Sequence, residues 1–280
     1  MYICFDGKIL PALEPVLLSG NKGYRYGDGL FETIKVVNGQ VPLFDLHMQR
    51  LYAGMQLLEF AIPSFLTPGK LKEDIVSLCN VNGCSGLARV RVSVSRGEGG
   101  VYEQENDHLH YLIESSPANP AVNVFNQNGW VIGIYPLARK SMDAFAALKS
   151  ANYLPYSMAA RFARQQQWDD CLLLNAEGNI ADASIANLFL IKDGVIFTPA
   201  EGQGAVHGVM RKYLIEKMRY AGWEVREEVI TPGQLMKADE LFLTNAMYGL
   251  RWIASLEHTS FDNRLSRKIY QEIIQAAWLV

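Results

Sequence analysis

Polar and apolar residues alternate without a break through Leu87–Ser95, with Val90, Val92 and Val94 on one side and Arg89, Arg91, Ser93 and Ser95 on the other. That period of two predicts a strand with one face on a core. The same reading gives strands at Tyr2–Phe5, Leu30–Val37, His108–Ser115, Trp130–Tyr135, Asp170–Leu174, Asn187–Ile191, Val195–Pro199, Glu224–Ile230 and Glu240–Thr244. Asp6-Gly7, Asn38-Gly39 and Asp193-Gly194 read as hairpin turns, since both central positions of such turns need positive φ. Leu43, Leu46, Leu51, Met55 and Leu58 approximate one face of a helix, a second helix runs from about Pro68 to Asn80, and Leu154, Met158 and Phe162 repeat every fourth residue in a third. Val209–Tyr220 and about Arg264–Trp278 complete the helices, with a short one after Thr231-Pro232.

A chain of 280 residues lies near the upper limit for a single core, so two domains are expected. Ser116-Pro117-Ala118-Asn119-Pro120 is the best linker. The expected division is a small N-terminal domain over 1–115, a linker at 116–121, and a larger C-terminal domain over 122–280.

With 26 basic and 29 acidic side chains the net charge is −3, which gives no electrostatic footprint for nucleic acid or an anionic membrane. No apolar run approaches a membrane span and no signal peptide opens the chain, so a cytoplasmic protein is expected. Cys4, Cys79, Cys84 and Cys171 then read as reduced thiols. The five histidines contain no His-x3-His pair and there is no Cys-x2-Cys, so no metal site is expected.

The chemistry is expected around Ala147-Leu148-Lys149-Ser150-Ala151-Asn152-Tyr153. Lys149 follows Phe145-Ala146-Ala147-Leu148, read as the end of an apolar strand, where partial desolvation lowers a lysine's pKa and makes it a nucleophile. Ser150 and Asn152 are candidate caps of the helix that follows. A surface lysine before a capped helix is the ordinary alternative. Arg50, near the apolar face of its helix, is either a satisfied ion pair or an anion ligand, and the Arg89–Arg91 row is an exposed edge or an anion-binding wall. Gly27-Asp28-Gly29 lacks the third glycine of a dinucleotide fingerprint and leads into a strand, so that reading fails. Gly202, Gly204 and Gly208 precede a helix, as in a phosphate cradle and also in many ordinary loops.

Together Tyr26-Gly27-Asp28-Gly29-Leu30-Phe31-Glu32-Thr33, His47-Met48-Gln49-Arg50-Leu51, Lys149-Ser150-x-Asn152, Asn187-Leu188-Phe189, the hairpin from Lys192-Asp193-Gly194 to Thr198-Pro199, and Gly208-Val209-Met210-Arg211 resemble the class IV aminotransferases. These are the fold-type IV pyridoxal-phosphate enzymes, which include branched-chain and D-amino-acid aminotransferases and aminodeoxychorismate lyase. The resemblance implies a small α+β N-terminal domain, a larger β-barrel-like C-terminal domain with helices that carries the lysine, a cofactor between them, and a homodimer. It implies that Lys149 forms the Schiff base with pyridoxal 5'-phosphate and moves the substrate proton. Arg50, the backbone N–H groups of Val209 and Met210, and the loop through Asn245 and Ala246 to Met247 would bind its phosphate. Tyr153 would reach the ring hydroxyl, with a spacing from the lysine one residue shorter than in branched-chain members. Asp182 would face the pyridine nitrogen, Arg91 would hold a substrate carboxylate, and Phe31 would form an apolar wall.

Three departures stand out. Asp182 replaces the family's glutamate, Met210 and Ala246 stand where threonine hydroxyls are common, and Arg96-Gly97 is followed by Glu98 rather than by the carboxylate-trapping histidine of D-amino-acid aminotransferases. The resemblance implies transfer of an amino group between an amino acid and a 2-oxo acid. Ser95-Arg96-Gly97-x-Gly99-Gly100 and Thr244-Asn245-Ala246 lie nearer the 4-amino-4-deoxychorismate lyases, which make 4-aminobenzoate and pyruvate. A cofactor-binding protein with little catalysis is the third reading, motivated by the three departures.

Overall fold

The three Asp-Gly and Asn-Gly pairs turn as their chemistry requires: Asp6 and Gly7 have φ of 47° and 80°, Asn38 and Gly39 of 48° and 73°, Asp193 and Gly194 of 50° and 79°. They appear in a computed structural model that describes residues 1–103 and 108–279. Contacts divide the chain into two units, the first holding residues 1–120 with Lys149–Asn152, the second holding 121–148 and 153–279. Lys149–Asn152 groups by contacts with residues 1–120.

In the first unit, β1 (Tyr2–Phe5), β2 (Lys8–Pro11), a short α1 (Lys22–Tyr26), β3 (Gly29–Val37), α2 (Phe44–Leu57), α3 (Pro68–Val81), β4 (Leu87–Arg96) and β5 (Leu109–Pro117) follow in order. The strands pair antiparallel in the order β2-β1-β5-β4-β3. Val90, Val92 and Val94 are buried as the alternation required, and α2 and α3 pack over the sheet. Helix α1 was not foreseen: five residues are too short for a readable period, and Asn21, whose side chain accepts from Tyr24 N–H, starts it.

The second unit runs β6 (Trp130–Lys140), α4 (Leu154–Gln165), β7 (Asp170–Asn175), β8 (Ile180–Ala183), β9 (Asn187–Lys192), β10 (Val195–Pro199), α5 (Val209–Tyr220), β11 (Val225–Glu228), α6 (Pro232–Leu235), β12 (Glu240–Asn245), β13 (Gly249–Leu256), β14 (Thr259–Ser260), α7 (Arg264–Ile269), a π-helical turn (Tyr270–Ile274) and α8 (Gln275–Ala277). Its sheet order is β11-β10-β9-β12-β13-β6-β7-β8, with β14 on β13. This order forces curvature. Flat, β8 and β9 would lie five strand spacings apart, roughly 24 Å, yet three residues, Ser184 to Ala186, join them, a reach of about 14 Å. The sheet therefore curls into a half-barrel around Ile132, Leu172, Leu188, Leu190, Leu241, Leu243 and Ile253.

Three local expectations are corrected here. Phe145–Leu148 is a turn rather than a strand end, with Phe145 exposed. Ser150 bridges to Leu30, and α4 begins after Tyr153 with no side-chain cap. The buried face of α4 is Tyr156, Ala159 and Ala163, packed on Tyr135, Cys171 and Leu173, while Leu154 and Met158 are exposed. The fourfold apolar repeat marked the wrong face because a small-residue stripe lets the helix approach the sheet closely.

Candidate active site

The lysine side belongs to the first unit. Two backbone bonds lay residues 149–151 along β3: Phe31 N–H donates to Lys149 O (2.9 Å) and Ala151 N–H to Gly29 O (2.8 Å). Gly27, at φ 68°, is needed beside this segment, because a Cβ there would overlap the Asn152 side chain. Lys149 Nζ then lies 4.4 Å from the centroid of the Phe31 ring, and the Arg91 guanidinium lies 3.8 Å from the same centroid. Arg91 reaches it from β4, where it pairs with Thr33, and Arg91 Nε donates to Ser93 Oγ (3.1 Å). An amine and a guanidinium thus share one aromatic platform.

On the opposite face of β3, Glu32 is buried among α2 side chains. His47 and Arg50, three residues apart, project from one side of that helix. Arg50 Nε donates to Glu32 Oε1 (2.7 Å), Arg50 Nη2 to Oε2 (2.5 Å), and His47 Nδ1 lies 2.7 Å from Oε2. Burial alone would raise the Glu32 pKa, but the Arg50 and His47 charges and hydrogen bonds hold it at about 2. Burial lowers the His47 pKa, with Glu32 opposing and Arg50 and Lys149 adding to the depression. Of the two readings of Arg50, an ion pair is therefore present. It fixes the orientation of the guanidinium.

Asp182, Tyr156 and α5 belong to the second unit. Asp182, on β8 and 2% exposed, accepts at Oδ2 from Tyr156 OH (2.7 Å) and from Val206 N–H (3.0 Å). Burial, then Asp182, raises the Tyr156 pKa well above that of a free phenol, so the phenol stays a donor. Tyr153 stacks on Tyr156 at 4.5 Å and donates from its OH to Ser184 O (2.9 Å). Lys140 Nζ sits 4.2 Å from the Tyr156 ring centroid. Helix α5 starts at Gly208 with no side chain capping it, and the Val209 and Met210 side chains turn into the core. Their N–H groups lie at the positive end of a 12-residue helix, which makes them candidate anion donors. In the expected second phosphate loop, Asn245 Oδ1 accepts from Met247 N–H (2.9 Å) and Tyr248 N–H (3.1 Å). The Asn245 side chain therefore stabilises the β12–β13 turn, and Ala246 is the loop's candidate backbone donor.

Taken unit by unit, the groups have the chemistry pyridoxal phosphate needs: the first holds an amine beside an aromatic ring, and the second holds a buried carboxylate with two donors on it and a helix start with no side-chain cap. Among the described residues no group of His, Cys, Asp and Glu could hold a metal ion. Sequence reasoning missed Tyr156, His47 and the pairing role of Glu32. The last two were legible, since Glu32 falls on the core side of an alternating strand and His47 and Arg50 lie three apart on an amphipathic helix.

The family model for amino-transferase class IV matches residues 29–256. The chain belongs to the class IV aminotransferases, the fold-type IV pyridoxal-phosphate enzymes. It is 30% identical over 276 residues to a putative branched-chain-amino-acid aminotransferase of Methanocaldococcus jannaschii, covering 98% of this chain and 94% of that protein. It is 26% identical over 265 residues to an aminodeoxychorismate lyase of Bacillus subtilis, covering 94% and 89%. Its fold is similar to the crystal structure of the branched-chain aminotransferase of Thermoproteus uzoniensis with norvaline, with a TM-score of 0.89 at 23% identity over 99% of this chain and 95% of that one.

Proposed function

We propose that the chain is a pyridoxal-phosphate-dependent aminotransferase that moves an amino group between an amino acid and a 2-oxo acid. The observation that carries this is the Phe31 platform shared by Lys149 and Arg91. A guanidinium beside a nucleophilic amine is the arrangement that orients a carboxylate and presents its α-carbon to a base. When bound, the cofactor supplies an electron sink for the bond broken at that carbon. Lys149 Nζ accepts and returns the α-proton, and Phe31 keeps water from that amine. Asp182, held by Tyr156 and Val206, would supply the negative charge for the ring nitrogen, and Tyr153 would serve the ring hydroxyl. Arg50, the Val209 and Met210 N–H groups and the Asn245–Ala246 loop are assigned to the phosphate.

Incubation with pyruvate or 2-oxoglutarate and a panel of amino acids tests the activity. Amino transfer with the wild-type protein is the expected result, and none with any pair overturns it. The lyase is the second reading, favoured by the Ser95-Arg96-Gly97 motif and by the relative in Bacillus subtilis. Against the motif, Arg96 serves the fold: its Nη1 donates to Asp28 Oδ1 (2.6 Å), its Nη2 donates to Leu58 O, and it covers Phe60. Pyruvate released from aminodeoxychorismate without an amino acceptor identifies the lyase.

A cytoplasmic homodimer completes the proposal. Among the described residues no helix is long and apolar enough to cross a membrane. The exposed Leu154 and Met158 on α4, and Leu17, Leu18, Tyr24 and Tyr26 in the first unit, supply apolar surface for a second copy.

A further inference from the structure

The backbone of Val206 is held at both its N–H and its C=O. Its N–H donates to Asp182 Oδ2 at 3.0 Å, and its C=O accepts from Asn187 Nδ2 at 2.8 Å. Asp182 is the penultimate residue of β8 and Asn187 begins β9, so the two grips come from the two arms of one tight connection, closed by Ala183 N–H donating to Ala186 O (2.8 Å). Asn187 is 5% exposed, and β9 is fixed in turn by its pairing with β12, where Asn187 lies opposite Thr244. Two residues after Val206 comes Gly208, the residue that starts α5. The Asn187 Oδ1 atom lies so close to Gly208 that a Cβ there would overlap it. One buried amide side chain thus holds the residue bound to Asp182 and also sets the closest approach of the α5 N-terminus.

We propose that Asn187 is a positioning residue that couples Asp182 to the N-terminus of α5 through the Val206 backbone. The inference rests on the functional reading above, in which Asp182 serves the ring nitrogen and α5 the phosphate of one rigid cofactor. A ligand that touches both gains its full affinity only if their separation is fixed before it binds; otherwise part of the binding energy goes into ordering the two halves. Asn187 touches neither end of that ligand. Its effect is on how well the two ends work together.

The test compares the intact cofactor with its pieces. In apoprotein prepared from wild type, Asn187→Ala and the nearly isosteric Asn187→Leu, dissociation constants are measured for pyridoxal phosphate, for pyridoxal and for inorganic phosphate. The expected result is a loss of at least about tenfold for the intact cofactor with less than about threefold for either piece. A parallel loss for phosphate alone, or for pyridoxal alone, assigns Asn187 to one half and overturns the coupling; no change in any constant overturns it as well. Hydrogen exchange at the Val206 amide in apoprotein is the second measurement and needs no cofactor. Exchange faster by about tenfold or more in Asn187→Leu supports the coupling, and an unchanged rate overturns it. Failure of the wild type to bind pyridoxal phosphate overturns the functional reading, and the exchange experiment still decides whether Asn187 holds the Val206 backbone.

Discussion

Glu32 grips Arg50 along both the Nε and the Nη2 edge, at 2.7 and 2.5 Å, and the pair is buried at the glutamate and only partly covered at the arginine. A bidentate grip of this kind aims a guanidinium without consuming it. Arg50→Ala is expected to raise the dissociation constant for pyridoxal phosphate at least tenfold, about 1.4 kcal/mol. Glu32→Gln, which keeps the shape and loses the charge, is expected to give a smaller rise. An unchanged constant in Arg50→Ala removes the arginine from the phosphate site.

The same glutamate sets an acid limb of stability. Its folded pKa of about 2 lies below an ordinary glutamate's 4.5, so the unfolded chain binds more protons between those values. Stability from this group is fully present above the higher value and is lost as the pH falls through about 2. Unfolding measured from pH 5 downward is expected to show a shallower decline in Glu32→Gln than in wild type.

Asp170 has the opposite sign. Burial pushes its pKa from 3.8 to about 6, although its Oδ1 accepts from Cys171 N–H (2.7 Å) and Ser184 N–H (3.1 Å). The folded chain binds the extra proton, so stability falls as the pH rises from 3.8 through about 6, by roughly 3 kcal/mol at most. Asp170→Asn keeps one acceptor and is expected to flatten that slope and unfold less readily at pH 7. A wild-type profile that is flat over this window would remove the assignment.

Lys149 is expected to be the point of covalent attachment. Borohydride treatment of the holoenzyme should fix the cofactor to wild type and not to Lys149→Ala, which should also lose turnover. A normal reduced adduct in the variant places the attachment at another lysine, with Lys140, on the Tyr156 ring, as the first to examine.

How much of this was readable before any coordinates depended on what kind of signal each element carried. Hairpin turns and the β4 alternation were legible because they are local: a positive-φ pair or a period of two needs no partner to be recognised. Helix α4 was misread because its docking face is built from alanines, and a rule that looks for large apolar residues selects Leu154 and Met158 instead. Strand β13 escaped because Arg251 and Trp252 break the apolar pattern, although Arg251 is buried against the Val124, Leu250 and Ala121 carbonyls. Lys149 was found as a candidate, but its placement on β3 rests on a bridge between residues more than a hundred positions apart, which no window contains.

Arg91→Ala is expected to raise KM for the amino acid by at least about tenfold while leaving the spectrum of the bound cofactor unchanged, since Arg91 lies on the Phe31 platform and away from the Glu32–Arg50 pair. If KM does not move, Arg89 from the same strand face becomes the candidate.

Asp182 allows charge to be tested apart from structure. Both of its described partners, Tyr156 OH and Val206 N–H, donate to the single oxygen Oδ2. An asparagine that places its carbonyl oxygen there accepts both bonds, so Asp182→Asn should fold and bind pyridoxal phosphate while losing only the negative charge. The alternative is an aspartate that only holds nearby backbone N–H groups, and the bond from Val206 N–H is of that kind, so the charge is what separates the two readings. If the charge serves the ring nitrogen, its loss leaves that nitrogen unprotonated and the ring a poorer electron acceptor. Removal of the α-proton should then slow by more than about tenfold in single-turnover measurements at equal cofactor occupancy, about 1.4 kcal/mol of barrier. A rate within twofold of wild type would show that the buried carboxylate serves only to hold Tyr156 and the Val206 backbone in place.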